Sequence, residues 1–257
     1  MISPKPSLFQ LFKDPAYGKV YKWHHYLEVY ESFFQKFCGK PLVILEIGIL
    51  DGGSLRLWRN YFGDQCQVYG IDINPLAKQY EETGIHIRIG DQSDPNFLAQ
   101  LTKEVGHFDI VIDDGAHTNF MVRSSFISLY STTRHLYVVE DTQALYWYGG
   151  LYSLARDCIY AFTGQRGLLV KARRLTKILI LWFSGQLSFI AFAKRRADDL
   201  TAQWHKKPYG EMRPGQLRDI SDKGVSEFAK STTAVHFYDS LVIFEKYPQI
   251  KKVVEFR

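Results

Sequence analysis

The segment Phe108 to His117 (FDIVIDDGAH) is an apolar run that stops at two carboxylates, a glycine and a histidine. Leu136 to Val139 is a second apolar run, and it stops at Glu140-Asp141. Short apolar runs bounded by turn residues read as buried strands. If the two strands are neighbours in a parallel sheet, their ends bring three or four carboxylates and the His117 imidazole to one rim. Carboxylates repel one another, so gathering them is costly unless a cation or a reaction needs them there. A plainer reading of Asp113, Asp114 and His117 is turn formation and helix capping. That reading leaves the second acidic strand end unexplained. Along a straight strand Asp113 and Asp114 point to opposite faces, and Asp113 is expected to face a ligand pocket. Glu140 and Asp141 pose the same problem, and both reach one ion only if the strand has already turned.

The elements that would position these groups alternate along the chain. Strands are expected at Leu42 to Ile47, Gln67 to Ile71, Ile85 to Ile89, 108–112 and 136–139. Helices are expected at Ser54 to Tyr61, Leu76 to Glu82, Asn96 to Lys103 (after Asp94-Pro95) and Val122 to Tyr130. This alternation implies βαβ units and a parallel sheet. Tyr21 to Phe37 has aromatic and apolar residues at helical spacing, and residues 1–20 read as an irregular arm. Beyond Gly150 the pattern blurs. Leu151 to Phe162 and Arg195 to His205 read as helices, and Lys206 to Lys223 as a loop. Thr233 to Tyr238, Ser240 to Glu245 and Lys252 to Phe256 read as strands that complete the sheet.

The first strand runs into Glu46-Ile47-Gly48-Ile49-Leu50-Asp51-Gly52-Gly53-Ser54. Glycines there let a ligand approach the backbone, and the following helix presents free amides. The run is not GxGxxG, which argues against a dinucleotide-binding oxidoreductase. Asp72 at the second strand tip sits where a carboxylate would hold a ribose diol, and Asp91-Gln92 at the third could reach an adenine edge. In this order the signals favour a nucleoside-bearing ligand.

The net charge of +5 over 257 residues is mild and gathers in 171–177 and 194–196, which argues against a dedicated nucleic-acid binder. Three unpaired cysteines (Cys38, Cys66, Cys158) suit a reducing compartment and neither a zinc site nor a disulfide framework. Met1 to Phe12 lacks the apolar core of a signal peptide, so a cytoplasmic chain is expected. His24, His25 and His236 read as packing or surface residues. Trp147 and Tyr148 could stack on a sugar or pack in the core.

The motifs EIGILDGGSLRLW, VYGIDINP, GDQSD, FDIVIDDGAH, VVEDTQ and HFYDSLVIFEK resemble the class I S-adenosylmethionine-dependent methyltransferases. The nearest likeness is to the metal-dependent sugar O-methyltransferases of macrolide tailoring (the mycinamicin type) and their cephalosporin-hydroxylase-like relatives. It covers residues 21–150 and about 186–246 and fails over 163–184, which reads as an insertion. The resemblance implies that Glu46, Gly48 and Ser54 hold the methionine part of S-adenosylmethionine, Asp72 the ribose, and Asp91 with Gln92 the adenine, with Asp113 on the cofactor side. It implies Asp114, Glu140 and Asp141 as ligands of Mg²⁺ or Mn²⁺, and His117 as general base beside Asp114. Thr142 to Trp147 departs from the histidine-containing loop often found there, which leaves the acceptor contacts open. The chemistry agrees, because oxygen donors without cysteine suit a hard dication. Such an ion lowers the pKa of a sugar hydroxyl, and imidazole takes the proton.

The expected fold is a doubly wound, mostly parallel α/β sheet of the Rossmann-like methyltransferase type. It comprises an N-terminal arm and helix (1–40), a cofactor-binding core (41–150), a helical cap insertion (151–232) and C-terminal strands (233–257). The expected function is Mg²⁺-assisted O-methylation of a sugar hydroxyl on a glycosylated natural product or glycolipid. A catechol-type O-methyltransferase and a non-catalytic partner protein with the same fold remain open. Basic residues flank the apolar stretch Ile178 to Ala193. The insertion therefore admits a lid, a homo-oligomer contact or, through 168–193, a peripheral membrane contact.

Overall fold

A computed structural model describes residues 6–147, 151–162, 167–184, 186–200 and 226–246. The expected loop 206–223 and the expected strand at Lys252 to Phe256 lie outside the described residues. The strands are β1 (Leu42–Ile47), β2 (Cys66–Asp72), β3 (Ile85–Ile89), β4 (Phe108–Asp113), β5 (Thr133–Val139), β6 (Ala234–Tyr238) and β7 (Leu241–Glu245). They form one sheet in the order β3-β2-β1-β4-β5-β7-β6. The first five run parallel, and β7 lies antiparallel between β5 and β6. The order reverses between β1 and β4, the point in an open α/β sheet where ligands bind beyond the strand ends.

The helices are α1 (Leu8–Phe12), α2 (His24–Phe34), α3 (Gly53–Phe62), α4 (Pro95–Val105), α5 (Asn119–Leu129), α6 (Ala144–Trp147), α7 (Leu151–Phe162), α8 (Leu168–Phe183), α9 (Phe189–Asp199) and α10 (Glu227–Ser231). One face of the sheet packs on α1, α2 and α3 through Leu8, Tyr26, Tyr30, Phe34, Leu55 and Trp58. The other packs on α4, α5 and α9 through Leu98, Leu101, Val122, Phe126 and Phe189. Start signals read from the sequence are in place, since the Asp94 side chain accepts the Asn96 amide at 3.0 Å and Pro95 opens α4.

The departures have physical causes. The N-terminal arm holds a short helix, α1, because Ser7 caps it reciprocally with Gln10 and Leu8 finds a fully buried place in the core. Residues Pro75–Tyr80 form a 3₁₀ turn rather than an α-helix, opened by Asn74 capping the Leu76 amide. The apolar stretch Ile178 to Ala193 is divided at Ser184, where α8 ends. Its second part, α9, packs into the core layer through Phe189, Ile190 and Ala193 rather than into a cap. Among the described residues the cap is therefore α7 and α8, which share a small core with Phe120 and Met121. No helix of the described residues is long and apolar enough to cross a membrane.

Candidate active site

Strand alternation decides which acidic groups meet. On β1, β4 and β5, Ile44, Ile110, Ile112, Leu136 and Val138 face the α2–α3 layer, while Leu45, Val111, Tyr137 and Val139 face the other. Continuing each row by two residues puts Glu46, Asp114 and Glu140 on the α2–α3 side and Asp113 on the opposite side. The strand pairing carries past the strand ends, with Asp114 N donating to Ile47 O at 3.0 Å and Glu140 N to Asp113 O at 2.9 Å.

The three carboxylates of the first row meet one cation. Lys22 Nζ lies 2.6 Å from Asp114 Oδ2, 2.7 Å from Glu140 Oε1 and 3.3 Å from Glu46 Oε1. The lysine side chain is 1% exposed. Tyr30 donates to the same Glu140 oxygen at 2.5 Å, and Ser54 donates to Glu46 Oε2 at 2.8 Å. Burial alone would lower the Lys22 pKa, but Asp114, Glu140 and Glu46 outweigh it and hold it well above its usual value. Burial raises the Glu46 carboxyl. Burial and then the neighbouring Asp114 charge raise Glu140, with Lys22 pulling it back.

The remaining oxygens face a cleft. Asp114 Oδ1 lies 3.6 Å from His117 Nε2, and Asp141 Oδ2 lies 3.9 Å from the same nitrogen. One atom each from Asp114, His117 and Asp141 falls within 4.8 Å of the others, the spacing of a metal group. The opposite oxygen of each aspartate is tied back. Lys22 holds Asp114 Oδ2, while Trp23 Nε1 and the Tyr26 hydroxyl (both 3.0 Å) and Gln143 Nε2 (3.2 Å) hold Asp141 Oδ1. His117 and Asp141 have φ of 49° and 50°, left-handed values uncommon for such residues. This strain is the turn the alternation demanded, and it brings Asp141 off its strand face into the cleft. The cap helps hold the His117 turn, with Arg156 Nη2 donating to Ala116 O at 3.2 Å and Asp157 Oδ1 accepting the Phe120 amide at 3.1 Å.

The cleft measures about 330 Å³ and is lined by Lys22, Gly48, Ser54, Asp72, Asp114, His117 and Asp141, among others. Gly48 has φ of 81°, and a Cβ there would stand 2.4 Å from Asp114 O, so only glycine lets the β1 loop lie against the β4 tip. A Cβ on Gly53 would stand 2.3 Å from Lys19 O, so the α3 N-terminus is packed against the N-terminal arm. Asp72 sits at the mouth, its Oδ2 accepting the Ile49 amide at 3.1 Å.

The other residues read from the sequence are not at the cleft wall. Asp113, expected on the cofactor side, is buried on the α5 side of the sheet. Gln92 (3.0 Å), Tyr137 (3.3 Å) and Ser125 donate to it, and burial pushes its carboxyl up to about 6. It faces away because it is still within β4, one residue short of the turn. Gln92 is held between Asp113 and the Ala116 amide, which its Oε1 accepts at 2.8 Å. Asp91 is buried, accepts from Ser93, and faces Arg174 of α8 at 3.3 Å. Glu46 and Glu140 are buried behind the cleft by Lys22. His24 packs edge-on against Phe9, His25 pairs with Asp239 O, and His236 pairs with Glu245, as packing or surface residues do.

Lys22, Trp23, Tyr26, Tyr30 and Arg174 were not read as site residues in the sequence, where Tyr26 and Tyr30 read as packing positions of a helix and Arg174 as part of a basic run. A signal was present. Lys22, Tyr26 and Tyr30 recur at a spacing of four, and buried tyrosine hydroxyls on a helix face need polar partners.

No family model matches the chain. It is 38% identical over 159 residues to demethylmacrocin O-methyltransferase of Streptomyces fradiae, covering 57% of this chain and 39% of the relative. It is 37% identical over 159 residues to mycinamicin VI 2''-O-methyltransferase of Micromonospora griseorubida, with the same coverage. Among solved structures, MycE methyltransferase from the mycinamycin biosynthetic pathway in complex with Mg and SAH superposes with a TM-score of 0.68 at 27% identity. That match covers 97% of this chain and 57% of MycE. The chain has a class I methyltransferase fold. Within that fold its sequence is similar to these O-methyltransferases, and it spans less than two thirds of the length of the relatives it matches. The mostly parallel sheet with helices on both faces, completed by strands at Ala234–Tyr238 and Leu241–Glu245, is what the sequence led one to expect, and the antiparallel insertion of β7 beside β5 is added by the structure.

Proposed function

We propose that this chain carries an S-adenosylmethionine-dependent O-methyltransferase activity toward a sugar hydroxyl on a glycosylated product, assisted by Mg²⁺ or Mn²⁺. The observation that carries the reading is the convergence of Asp114 Oδ1, Asp141 Oδ2 and His117 Nε2 on one cleft beside Gly48, Ser54 and Asp72. The donor set fits a hard dication, since two carboxylate oxygens point inward while their partner oxygens are fixed from behind. Asp114 and Asp141 would hold the ion, which when bound lowers the pKa of a coordinated hydroxyl. A further support is that MycE was solved with Mg and SAH, and again with Mg, SAH and mycinamycin VI.

The remaining work falls to side chains. Gly48 lets the β1 loop lie against the β4 tip and lines the cleft in which the cofactor would bind, and Asp72 would accept its ribose hydroxyls. His117, held by its strained turn and by the cap, would receive the acceptor proton. The donor carbon is already activated, so the protein's main task is alignment of an in-line displacement. Loading the full chain with S-adenosylmethionine, Mg²⁺ and glycosides that carry vicinal hydroxyls should yield S-adenosylhomocysteine and a methyl ether. Catechols in parallel separate the alternative acceptor class. Turnover of catechols with none of glycosides would move the reading to that class.

A further inference from the structure

The α8 helix turns one side into the molecule and leaves the other uncovered. Arg174 and Ile178 are buried, Ile178 in the small core with Phe120 and Met121. On the opposite side Leu169, Ala172, Thr176, Ile180 and Phe183 follow one another at spacings of three and four, and all five are exposed. That spacing lines up a single row along a helix. Leu169 is 64%, Ile180 62% and Phe183 78% exposed. Leu168 widens the row at its start, and Phe162 of α7 is exposed as well. Exposed apolar residues gathered on one face mark an interaction surface, whereas scattered ones do not.

Charge decides what fits that surface. Arg173 and Lys177 are exposed and border the row along one side. The only acid in α7 and α8 is Asp157, which is buried against the Phe120 amide. Beyond the end of α8 the positive field continues. Arg123 donates to Gln186 O there, and burial followed by the charges of Arg195 and Arg196 lowers its pKa. A second copy docked face to face would set basic residues against basic residues. An anionic lipid surface meets a face of one sign, takes up the apolar row between its headgroups and lets the long basic stems reach phosphate. We propose that the exposed face of α8 docks on a membrane surface that carries anionic lipids, with the helix lying in the plane of the headgroups. Its 16 residues span about 24 Å, which suits a helix on the surface rather than across it. The contact is confined to α8, because α9 gives its own apolar side to the core.

The test is cosedimentation of the full chain with vesicles of phosphatidylcholine alone or of equal parts phosphatidylcholine and phosphatidylglycerol. Native protein should bind the anionic vesicles at least about tenfold more tightly, and added salt should weaken that binding. Arg173→Gln with Lys177→Gln should remove the preference. Ile180→Ser with Phe183→Ser should weaken binding to anionic vesicles at least about tenfold while thermal melting holds, since both side chains are exposed. Equal binding to both vesicle types, or none to either, overturns the proposal, and that comparison needs no variant to fold. Native affinity in both double variants overturns it too. A lipid-free dimer that Ile180→Ser with Phe183→Ser dissociates, seen by light scattering, would give the face to a second copy instead. Failure on vesicles with retention on polyglutamate would give it to an acidic protein. Vesicle binding is read without turnover, so its outcome is separate from that of the methyl-transfer reading.

Discussion

The ends of β4 and β5 carry the same chemistry and treat their paired carboxylates alike, but from opposite sides of the sheet. At β4 the first acid, Asp113, is buried on the α5 side, where only neutral donors meet it. At β5 the first acid, Glu140, is buried on the α2–α3 side, where Lys22 and Tyr30 meet it. In both pairs the second acid reaches the cleft. The difference teaches what a buried carboxylate needs. Burial pushes both carboxyls upward despite their donors, and at Glu140 the neighbouring Asp114 charge adds to the rise, so Lys22 offsets only part of it. Both arrangements leave Asp114 Oδ1 and Asp141 Oδ2 turned toward the cleft, where the proposed ion would use them.

That contrast can be broken at several points. The largest effect is expected from Asp141→Asn, since asparagine tolerates the left-handed backbone there and removes only the charge. It should lower turnover by more than about 10² and weaken metal binding more than cofactor binding, compared by titrating each ligand. Equal weakening of both would place the ion elsewhere. His117→Asn, chosen for the same backbone reason, should cut turnover by about 10² while S-adenosylhomocysteine affinity holds. Unchanged turnover would remove His117 as the base. Tyr26→Phe loses the hydroxyl that orients Asp141 and should weaken metal binding by roughly tenfold, an effect visible by calorimetry.

Asp113→Asn should touch stability rather than metal binding. The Asp113 carboxyl is raised from its ordinary 3.8 to about 6 by burial, so the folded state prefers it protonated. Its contribution is then fully present below about pH 3.8 and is lost as pH rises through about 6. Asparagine has no such loss, so relative to native protein the variant should gain stability between pH 4 and 7, by at most on the order of 3 kcal/mol. The Ser125 and Tyr137 hydroxyls can reverse to accept from the new amide. Parallel melting curves across that range would show that Asp113 is not the titrating group.

The sheet was legible because β1 to β5 are apolar runs at regular spacing, and a buried parallel strand has no other way to be written. The cleft was legible in part for the same reason, since acids at two strand ends have to be at one rim. Alternation, carried through from Ile112 and Val138, also settles which acids face Lys22, although the strained turns at His117 and Asp141 could not be read from residue types. Lys22 was legible only through its four-residue spacing with Tyr26 and Tyr30, because a lysine just before an aromatic helix otherwise looks like a solvated charge until the tertiary approach of α2 to β4 and β5 buries it. Arg174 was hidden likewise, since a basic run in an insertion reads as surface until α8 lays one guanidinium against Asp91. Leu8 shows the reverse error, in which a Pro-containing arm reads as irregular although one side chain fits the core.

The central claim is that Asp114 and Asp141 hold a dication that sugar O-methylation by this fold requires. The most direct measurement follows methyl-ether formation on glycosides by mass spectrometry, using EDTA-stripped full chain and S-adenosylmethionine, before and after Mg²⁺ is restored. The account predicts no product without the ion and recovery on its return, with no recovery in Asp141→Asn. Product formed at the same rate in EDTA would contradict it.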